Sequence, residues 1–339
     1  MEDKPKRKSK DKADEVSTWS WRRTGKVALA GLVYGLLIQL VFSQVQLNED
    51  MNNLALVAFL GGVPLVLGGI STRMIPEVKR TWFNIAFIAM TMATVFLLTT
   101  TMTQPQLLFC VLIASPFILV VAVIVGFIFK RADRYFVNKK YQRNQLVFTG
   151  FVLVLPLLLA PVEANLESPN WHRNVQDEII ITGTTEAVWD NIIRMETIAP
   201  DDQRPSIYHT LGIPRPIQAT LDYEGLGGVR VGHFEHGLTF VEEIIQWELY
   251  NSVRFNVDVQ HNDQSTAVLK HIGGRYFDIV EAGYEIIDLG DGQVLLRLDS
   301  DYRLTTNFNG YGAFWSDWIM HDFQTYVLTT VKNRVESDV

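Results

Sequence analysis

The apolar positions of this 339-residue chain follow two different rules, one on each side of residue 162. Before it they run almost unbroken in five stretches: Val27 to Leu47, Leu54 to Ser71, Trp82 to Thr103, Leu107 to Phe129, and Leu146 to Pro161. At ~1.5 Å of rise per residue the first four are long enough to cross a ~30 Å hydrocarbon layer as helices; the fifth is marginal and contains Pro156. A long polar segment precedes the first stretch and no small-residue cleavage pattern closes it, so it does not read as a removable leader.

Beyond Pro161 the pattern changes. Val162 to Gln176 has no periodicity and reads as a polar tether with a reach of at most ~50 Å when fully extended. "DEIIITGT" (Asp177 to Thr184) predicts a strand ended by glycine. "TTEAVWDNIIRM" (Thr184 to Met195) predicts a short helix with a threonine cap and inward Val188, Ile192 and Met195. A second short helical piece is expected after Pro200, and "GIPRPI" (Gly212 to Ile217) is a loop.

Strands come next, over Ile217 to Glu224, Gly228 to His236, Leu238 to Leu249, Ser252 to Gln260, Gly274 to Gly290 and Gly292 to Thr306. All are rich in β-branched and aromatic residues. The turn signals "GLGG", "HG", "YN", "HNDQS" and "GDG" separate them, and connections this short enforce antiparallel neighbours. Gly310 to Glu336 closes the chain as a long helix. Its large residues Tyr311, Phe314, Trp315, Trp318, Ile319, Phe323, Tyr326, Val327 and Val331 recur at threes and fours as one aromatic stripe.

Charge divides at the same place. Residues 1–161 carry 18 Lys+Arg against 9 Asp+Glu, a net +9, and residues 162–339 carry 12 against 28, a net −16. The basic residues of the first half sit in the N-terminal tail, at Arg73, Lys79 and Arg80, and between Lys130 and Arg143, whereas "NEDMNN" and "QPQ" have none. By the positive-inside rule the N-terminus is cytoplasmic, and five crossings put the second half on the extracytoplasmic, periplasmic side of the membrane. If Leu146 to Pro161 only dips into the membrane, that half is cytoplasmic instead.

No stretch contains Asp, Glu, Lys, Arg or His, which argues for an anchor or scaffold rather than a proton or ion path. Gln39, Ser43, Asn84 and the threonines at 91, 94 and 99–101 suit helix packing. So acidic a second half is a poor partner for nucleic acid. Cys110 is the single cysteine, which rules out an intrachain disulfide or a cysteine-based metal site.

The element order β-α-α-β-β-β-β-β-β-α and the ribbon "GLGGVRVGHFEHGLTFVEEIIQWE" resemble the START-related superfamily, which includes polyketide cyclases/dehydrases, lipid-transfer START domains and the birch-pollen allergen family. The matching positions of the cyclase/dehydrase branch are Gly225, Gly227 and Arg230, then Gly237, Phe240, Glu242, Ile244, Trp247 and Glu248. The resemblance spans Asp177 to Glu336 and leaves the membrane half out. It implies a helix-grip fold, a curved antiparallel sheet wrapped around the terminal helix, with a cavity between them for an apolar ligand; several hundred Å³ of open space would support binding or catalysis, and a packed interior an assembly or sensing role.

The expected organisation is therefore a basic cytoplasmic tail (1–26), an α-helical transmembrane bundle of five helices (27–161), a linker (162–176) and an α+β helix-grip domain (177–336). Three functions fit it. One is an anchored module that binds or transfers a lipid or other apolar small molecule; the second is a cyclase- or dehydrase-like enzyme acting on a membrane-borne apolar substrate; the third is an assembly or sensing protein whose cavity is filled by its own side chains.

Candidate cavity residues are Arg230, Phe240, Glu242 and Ile244 on the ribbon and Tyr311, Trp315, Trp318, Asp322 and Tyr326 on the helix. Arg230 and Glu242 either pair across neighbouring strands or meet a ligand's polar end. Asp322 is a polar anchor if its stripe faces the cavity, and solvated if it lies at the margin. Phe240, Glu242 and Ile244 share one face of their strand, and Val241, Glu243, Ile245 and Trp247 the other; which is concave stays open. The glycines of "GLGG" provide the tight turn, and Gly232 and Gly237 allow a bend or bulge. "GLGGVR" leads into a strand rather than a helix, so it does not read as a phosphate loop, and no cofactor is expected. His233 and His236 point to opposite faces by period two, which argues against a metal site.

Overall fold

The computed structural model describes residues 25–26, 29–37, 58–75, 79–103, 108–135, 154–155, 158–159, 167–198, 206–210, 212–263, 265, 269 and 272–337. They belong to two compact units, Met1–Leu166 and Glu167–Val339. Most of the basic tail, the loops at 48–53 and 104–106, and most of the fifth apolar stretch lie outside the described residues.

In the first unit a π-helical turn, Ala58–Gly62, leads into α1 (Val63–Met74), followed by α2 (Trp82–Thr103) and α3 (Leu108–Tyr135). Two of these helices, over Trp82–Thr103 and Cys110–Ala132, are long and apolar enough to cross a membrane. The expectation of five such helices is corrected to two among the described residues. The second stretch forms a helix interrupted by its π-helical start, and the first is described only in part.

α1 and α3 pack through small residues. A Cβ on Gly68 would lie 2.3 Å from the Ala122 carbonyl oxygen. Thr72 Oγ1 donates to the carbonyls of Gly68 and, across the crossing, Gly126, each at 3.0 Å. Such close approach is how helices associate without a hydrophobic driving force between them. The hydroxyls of Thr91, Thr99, Thr100 and Thr101 donate back to carbonyls one turn earlier, which satisfies them within α2 itself.

The second unit begins with β1 (Asn170–Thr182), then α4 (Thr185–Ile193), α5 (Ile207–Thr210), β2 (Pro216–Leu221), β3 (Val229–Phe234), β4 (Leu238–Glu248), β5 (Ser252–His261), β6 (Phe277–Gly290), β7 (Gln293–Thr305) and α6 (Asn309–Ser337). The strands form one sheet in the order β1-β7-β6-β5-β4-β3-β2, antiparallel throughout. This curled sheet with its C-terminal helix is the helix-grip arrangement. Residues 170–176, read from sequence as tether, are the first half of β1. They have little apolar pattern of their own, and their register with β7, Asn170 opposite Thr305 through Gln176 opposite Asp299, organises them.

Local chemistry explains the joints. Thr184 caps α4 by accepting the Ala187 amide. The "GLGG" turn holds Gly225 and Gly227 at φ 132° and 80°, which side chains with a Cβ rarely adopt. Between β3 and β4, Glu235–Gly237 makes a single 3-10 turn with Gly237 at φ 72°. The β3–β4 register runs unbroken through Gly232, whereas bulges interrupt other pairings, at Ile244/Gln246 and Ile279/Glu281 among them. The bend expected at Gly232 is thus built elsewhere.

Candidate functional site

Period two decides which side of the ribbon is concave. On β3, Arg230, Gly232 and Phe234 are buried; on β4, Leu238, Phe240, Glu242 and Ile244 are, while Glu243 and Ile245 are exposed. Across the sheet the outward positions carry ion-pair ladders, Arg254 with Asp299 and Arg297 with Glu178 and Glu285. The inward positions are almost wholly apolar, and Arg230 and Glu242 interrupt them.

Between sheet and helix lies a cavity of about 60 Å³. Phe234, Phe240, Phe255, Val257, Ile279 and Leu298 wall it from the sheet, and Met320, Phe323 and Val327 from α6. Its polar lining comes from Gln218, Arg230, Glu242, Tyr284 and Ser300. The cavity falls short of the several hundred Å³ that would support binding or catalysis and has room for a few water molecules. The ring centroids of Phe234 and Phe240 are 4.4 Å apart, and that of Phe323 is 6.0 Å from Phe234; these rings take up much of the interior.

Arg230 and Glu242 are direct cross-strand partners in the β3–β4 register and form an ion pair, with side chains 7% and 10% exposed. Arg230 Nε also donates to the Ile193 carbonyl at 3.3 Å, and its guanidinium carbon lies 5.5 Å from the Phe255 ring centroid. Burial opposes the guanidinium charge, but Glu242 and Tyr284 outweigh that and hold the Arg230 pKa above its ordinary value. The Tyr284 hydroxyl is pushed up to about 12 by burial, with Arg230 pulling the other way. At neutral pH the guanidinium is a cation and the phenol is un-ionised. Arginine has five N–H donors, and the bonds to Glu242, Ile193 and Tyr284 engage three of them, so the cluster still has donors for an oxygen atom of a guest.

Of the nine residues singled out from sequence, Arg230, Phe240 and Glu242 line the cavity. Ile244 is buried in the core beyond it, where its Cδ1 would lie 3.2 Å from a Cβ placed on Gly228. Tyr326 is fully buried, but its ring faces His209 of α5 at a centroid distance of 5.1 Å. Asp322 accepts a hydrogen bond from Ser206 Oγ at 2.5 Å and stands outside the cavity lining. Tyr311, Trp315 and Trp318 lie on the same outer stripe, with Trp318 53% exposed. The row Tyr311, Trp315, Trp318, Asp322 is ~140° round the helix from Met320, Phe323, Val327, so only the second row meets the sheet.

Sequence reasoning missed Tyr284. Its signal was the period-two set Ala282, Tyr284, Ile286 on β6, in which one phenol interrupts an inward apolar row. His233 is on β3 and His236 in the following turn at φ 57°. Among the described residues no group of three or more His, Cys, Asp or Glu is arranged to hold a metal.

Comparison with known proteins yields fold likenesses only. No protein-family model and no curated protein matches the chain. Among solved structures, Zhui aromatase/cyclase from Streptomyces sp. R1128 is similar at 11% identity and TM-score 0.32, over 49% of this chain and 94% of that one. Truncated norcoclaurine synthase from Thalictrum flavum is similar at 9% identity and TM-score 0.32, over 50% and 97%. A conserved protein from Geobacillus kaustophilus is similar at 11% identity and TM-score 0.32, over 49% and 96%. The helix-grip description rests on the sheet and helix themselves.

Proposed function

We propose that the chain is a membrane-anchored helix-grip domain that binds a lipid or other apolar small molecule by its polar end, with Arg230, Glu242 and Tyr284 as the receiving groups. The buried ion pair carries this reading. Desolvating two charges in an apolar wall costs several kcal/mol, and hydrophobic residues of similar volume are often as stable or more so. A pair kept at the cavity wall is therefore better accounted for by a guest's polar atoms than by packing.

Anchoring rests on α2 and α3. Less than half of either helix's most apolar window is buried, and large apolar side chains such as Phe83, Met102, Val120 and Ile128 point outward, as lipid contact requires and a soluble core does not. In this reading the positive-inside rule puts the N-terminus in the cytoplasm, and an extracytoplasmic helix-grip domain requires that all five apolar stretches cross.

The 60 Å³ cavity sets a condition on this reading: it accepts a polar end, and an apolar body enters only if Phe240, Phe323 or α6 shifts. The same small volume favours a second reading, in which the interior is filled by its own side chains and the domain serves assembly or sensing. A catalytic version of the first reading would use the same residues, since a charged Arg230 and a protonated Tyr284 can both donate to a carbonyl oxygen.

The deciding experiment is purification of the full chain in mild detergent, followed by mass spectrometry of co-purifying small molecules. The binding reading expects one chemical class of apolar molecule, lost from a folded Arg230→Met/Glu242→Leu double variant. Repeated preparations free of any such molecule would leave the filled-interior reading standing.

A further inference from the structure

The outer face of α6 near its start carries a cluster of aromatic rings that the cavity does not use. Trp315 and Trp318 stack at 5.6 Å between centroids; Phe314 is 5.4 Å from Trp315; Tyr208 of α5 meets Trp318 edge-on at 5.9 Å. Phe314 is 61% exposed and Trp318 53%. Two large aromatic rings this open, side by side, are a liability in water unless something covers them.

Where the chain enters the domain says what that is. Asn309, at the head of α6, donates to the Pro169 carbonyl at 2.6 Å, which pins the entering strand to the same end of the helix. Trp171, 43% exposed, is two residues before Arg173 on the same side of β1, and Arg173 pairs with Asp317 at 2.7 Å. Pro161, the end of the last apolar stretch, is eight residues before Pro169, a reach of at most ~30 Å.

The ionisable groups beside the rings are engaged within the domain. Asp317 accepts from Arg173 and from the Tyr302 hydroxyl, His321 is 2.7 Å from Asp177, and Asp322 accepts from Ser206. A surface of tryptophan and phenylalanine whose neighbouring charges are already paired suits the headgroup layer, where amphipathic rings settle.

We infer that Phe314, Trp315 and Trp318, with Trp171 beside the chain entry, form a membrane-facing surface that seats the helix-grip domain on the lipid headgroups at the end where its tether arrives. This rests on the anchoring part of the proposed function and is independent of whether the cavity takes a guest.

The test uses the full chain reconstituted in phosphatidylcholine vesicles containing lipids brominated in the upper acyl chain. Tryptophan emission is compared between the parent protein and the Trp82→Phe, Trp315→Phe and Trp318→Phe variants, so that each difference isolates one indole. The expected result is that the Trp318 component is blue-shifted and loses intensity to bromolipid as the Trp82 component does, while resisting aqueous acrylamide. Acrylamide quenching of Trp318 with bromolipid quenching of Trp82 alone would overturn the docking surface and leave anchoring intact. Trp82 untouched by bromolipid would overturn anchoring and docking together. Protection of Trp318 from both quenchers would mean a protein covers the patch, a second copy included, and would also overturn it. Should a substitution upset folding, the parent protein carries the test alone: diazirine-labelled phosphatidylcholine should crosslink to the peptide spanning Phe314 to Trp318, and crosslinking confined to α2 and α3 would refute the surface.

Discussion

Arg230 on β3 stands directly opposite Glu242 on β4, and the two meet as an ion pair on the inner face of the sheet. Removing one partner strands the other charge in an apolar wall. Glu242→Leu alone should therefore lose about 3–5 kcal/mol of unfolding free energy, whereas Arg230→Met/Glu242→Leu together should come close to the parent. Urea denaturation of the four proteins closes the double-mutant cycle. Additive losses would mean that the charges do not depend on each other.

Asp317 links α6 to two strands. Its carboxylate accepts from Arg173 Nη2 at 2.7 Å and from the Tyr302 hydroxyl at 2.6 Å. Partial burial alone would raise the carboxyl, but the bonds from Arg173 and Tyr302 prevail and hold it below its ordinary value. A depressed folded-state pKa stabilises the fold above the unfolded value of ~3.9 and loses that contribution as pH falls through the folded one. Parent and Asp317→Asn proteins should thus differ most at pH 6 to 7 and converge at pH 2 to 3. Thermal unfolding across that window measures it; a gap that widens toward acid would contradict the assignment.

Gly283 lets an ion pair pass over a strand. Arg254 on β5, Gly283 on β6 and Asp299 on β7 are in register across the sheet, and Arg254 Nη2 reaches Asp299 Oδ2 at 2.7 Å. A Cβ on Gly283 would sit 3.2 Å from Asp299 Oδ1 and 3.3 Å from Arg254 Cζ. Gly283→Val should part the two side chains and cost about 1–3 kcal/mol through crowding. Arg254→Ala should cost no more than ~1 kcal/mol, because the pair is partly exposed. Equal losses in both variants by urea titration would mean that crowding is not the cause.

The β3–β4 ribbon was legible because its period is two and "GLGG" and "HG" bound it, so the Arg230–Glu242 pairing followed from a short connection. The first half of β1 was not. Asn170, His172 and Asn174 are exposed, and a strand held by its backbone pairing with β7 leaves little trace in hydrophobicity. In α6 the aromatic stripe marked a helix correctly but only part of its buried face: Tyr326, Val327 and Val331 are buried, but so are Ala313, Met320 and Gln324, which the stripe left out. Cavity volume was beyond reading too, since it depends on sheet curvature and on where the rings of Phe234, Phe240 and Phe323 come to rest.

Gln324 shows how such a face is fastened. Fully buried, it donates through Nε2 to the Val175 carbonyl of β1 and to Ser300 Oγ of β7, both at 3.0 Å. Gln324→Leu keeps the volume but removes the donor, and should cost about 1–3 kcal/mol. Hydrogen exchange would show the loss as faster opening of β1 and α6 with the β3–β4 hairpin little changed. Uniform acceleration through the domain would argue against a local tie.

Tryptophan exposure separates the two roles of aromatic residues in this domain. Trp189 of α4 is 2% exposed and packs edge-on against Trp247 at 4.8 Å, whereas Trp318 is 53% exposed. Trp189→Ala opens a cavity in the core and should cost about 3–5 kcal/mol. Trp318→Ala removes a ring from the surface, leaves Tyr208 with one neighbour fewer, and should cost no more than ~1 kcal/mol in detergent. Paired urea titrations in detergent are the measurement. If Trp318→Ala proved as damaging as Trp189→Ala there, the outer stripe of α6 would be part of the domain's core, and no surface would remain for a bilayer to meet.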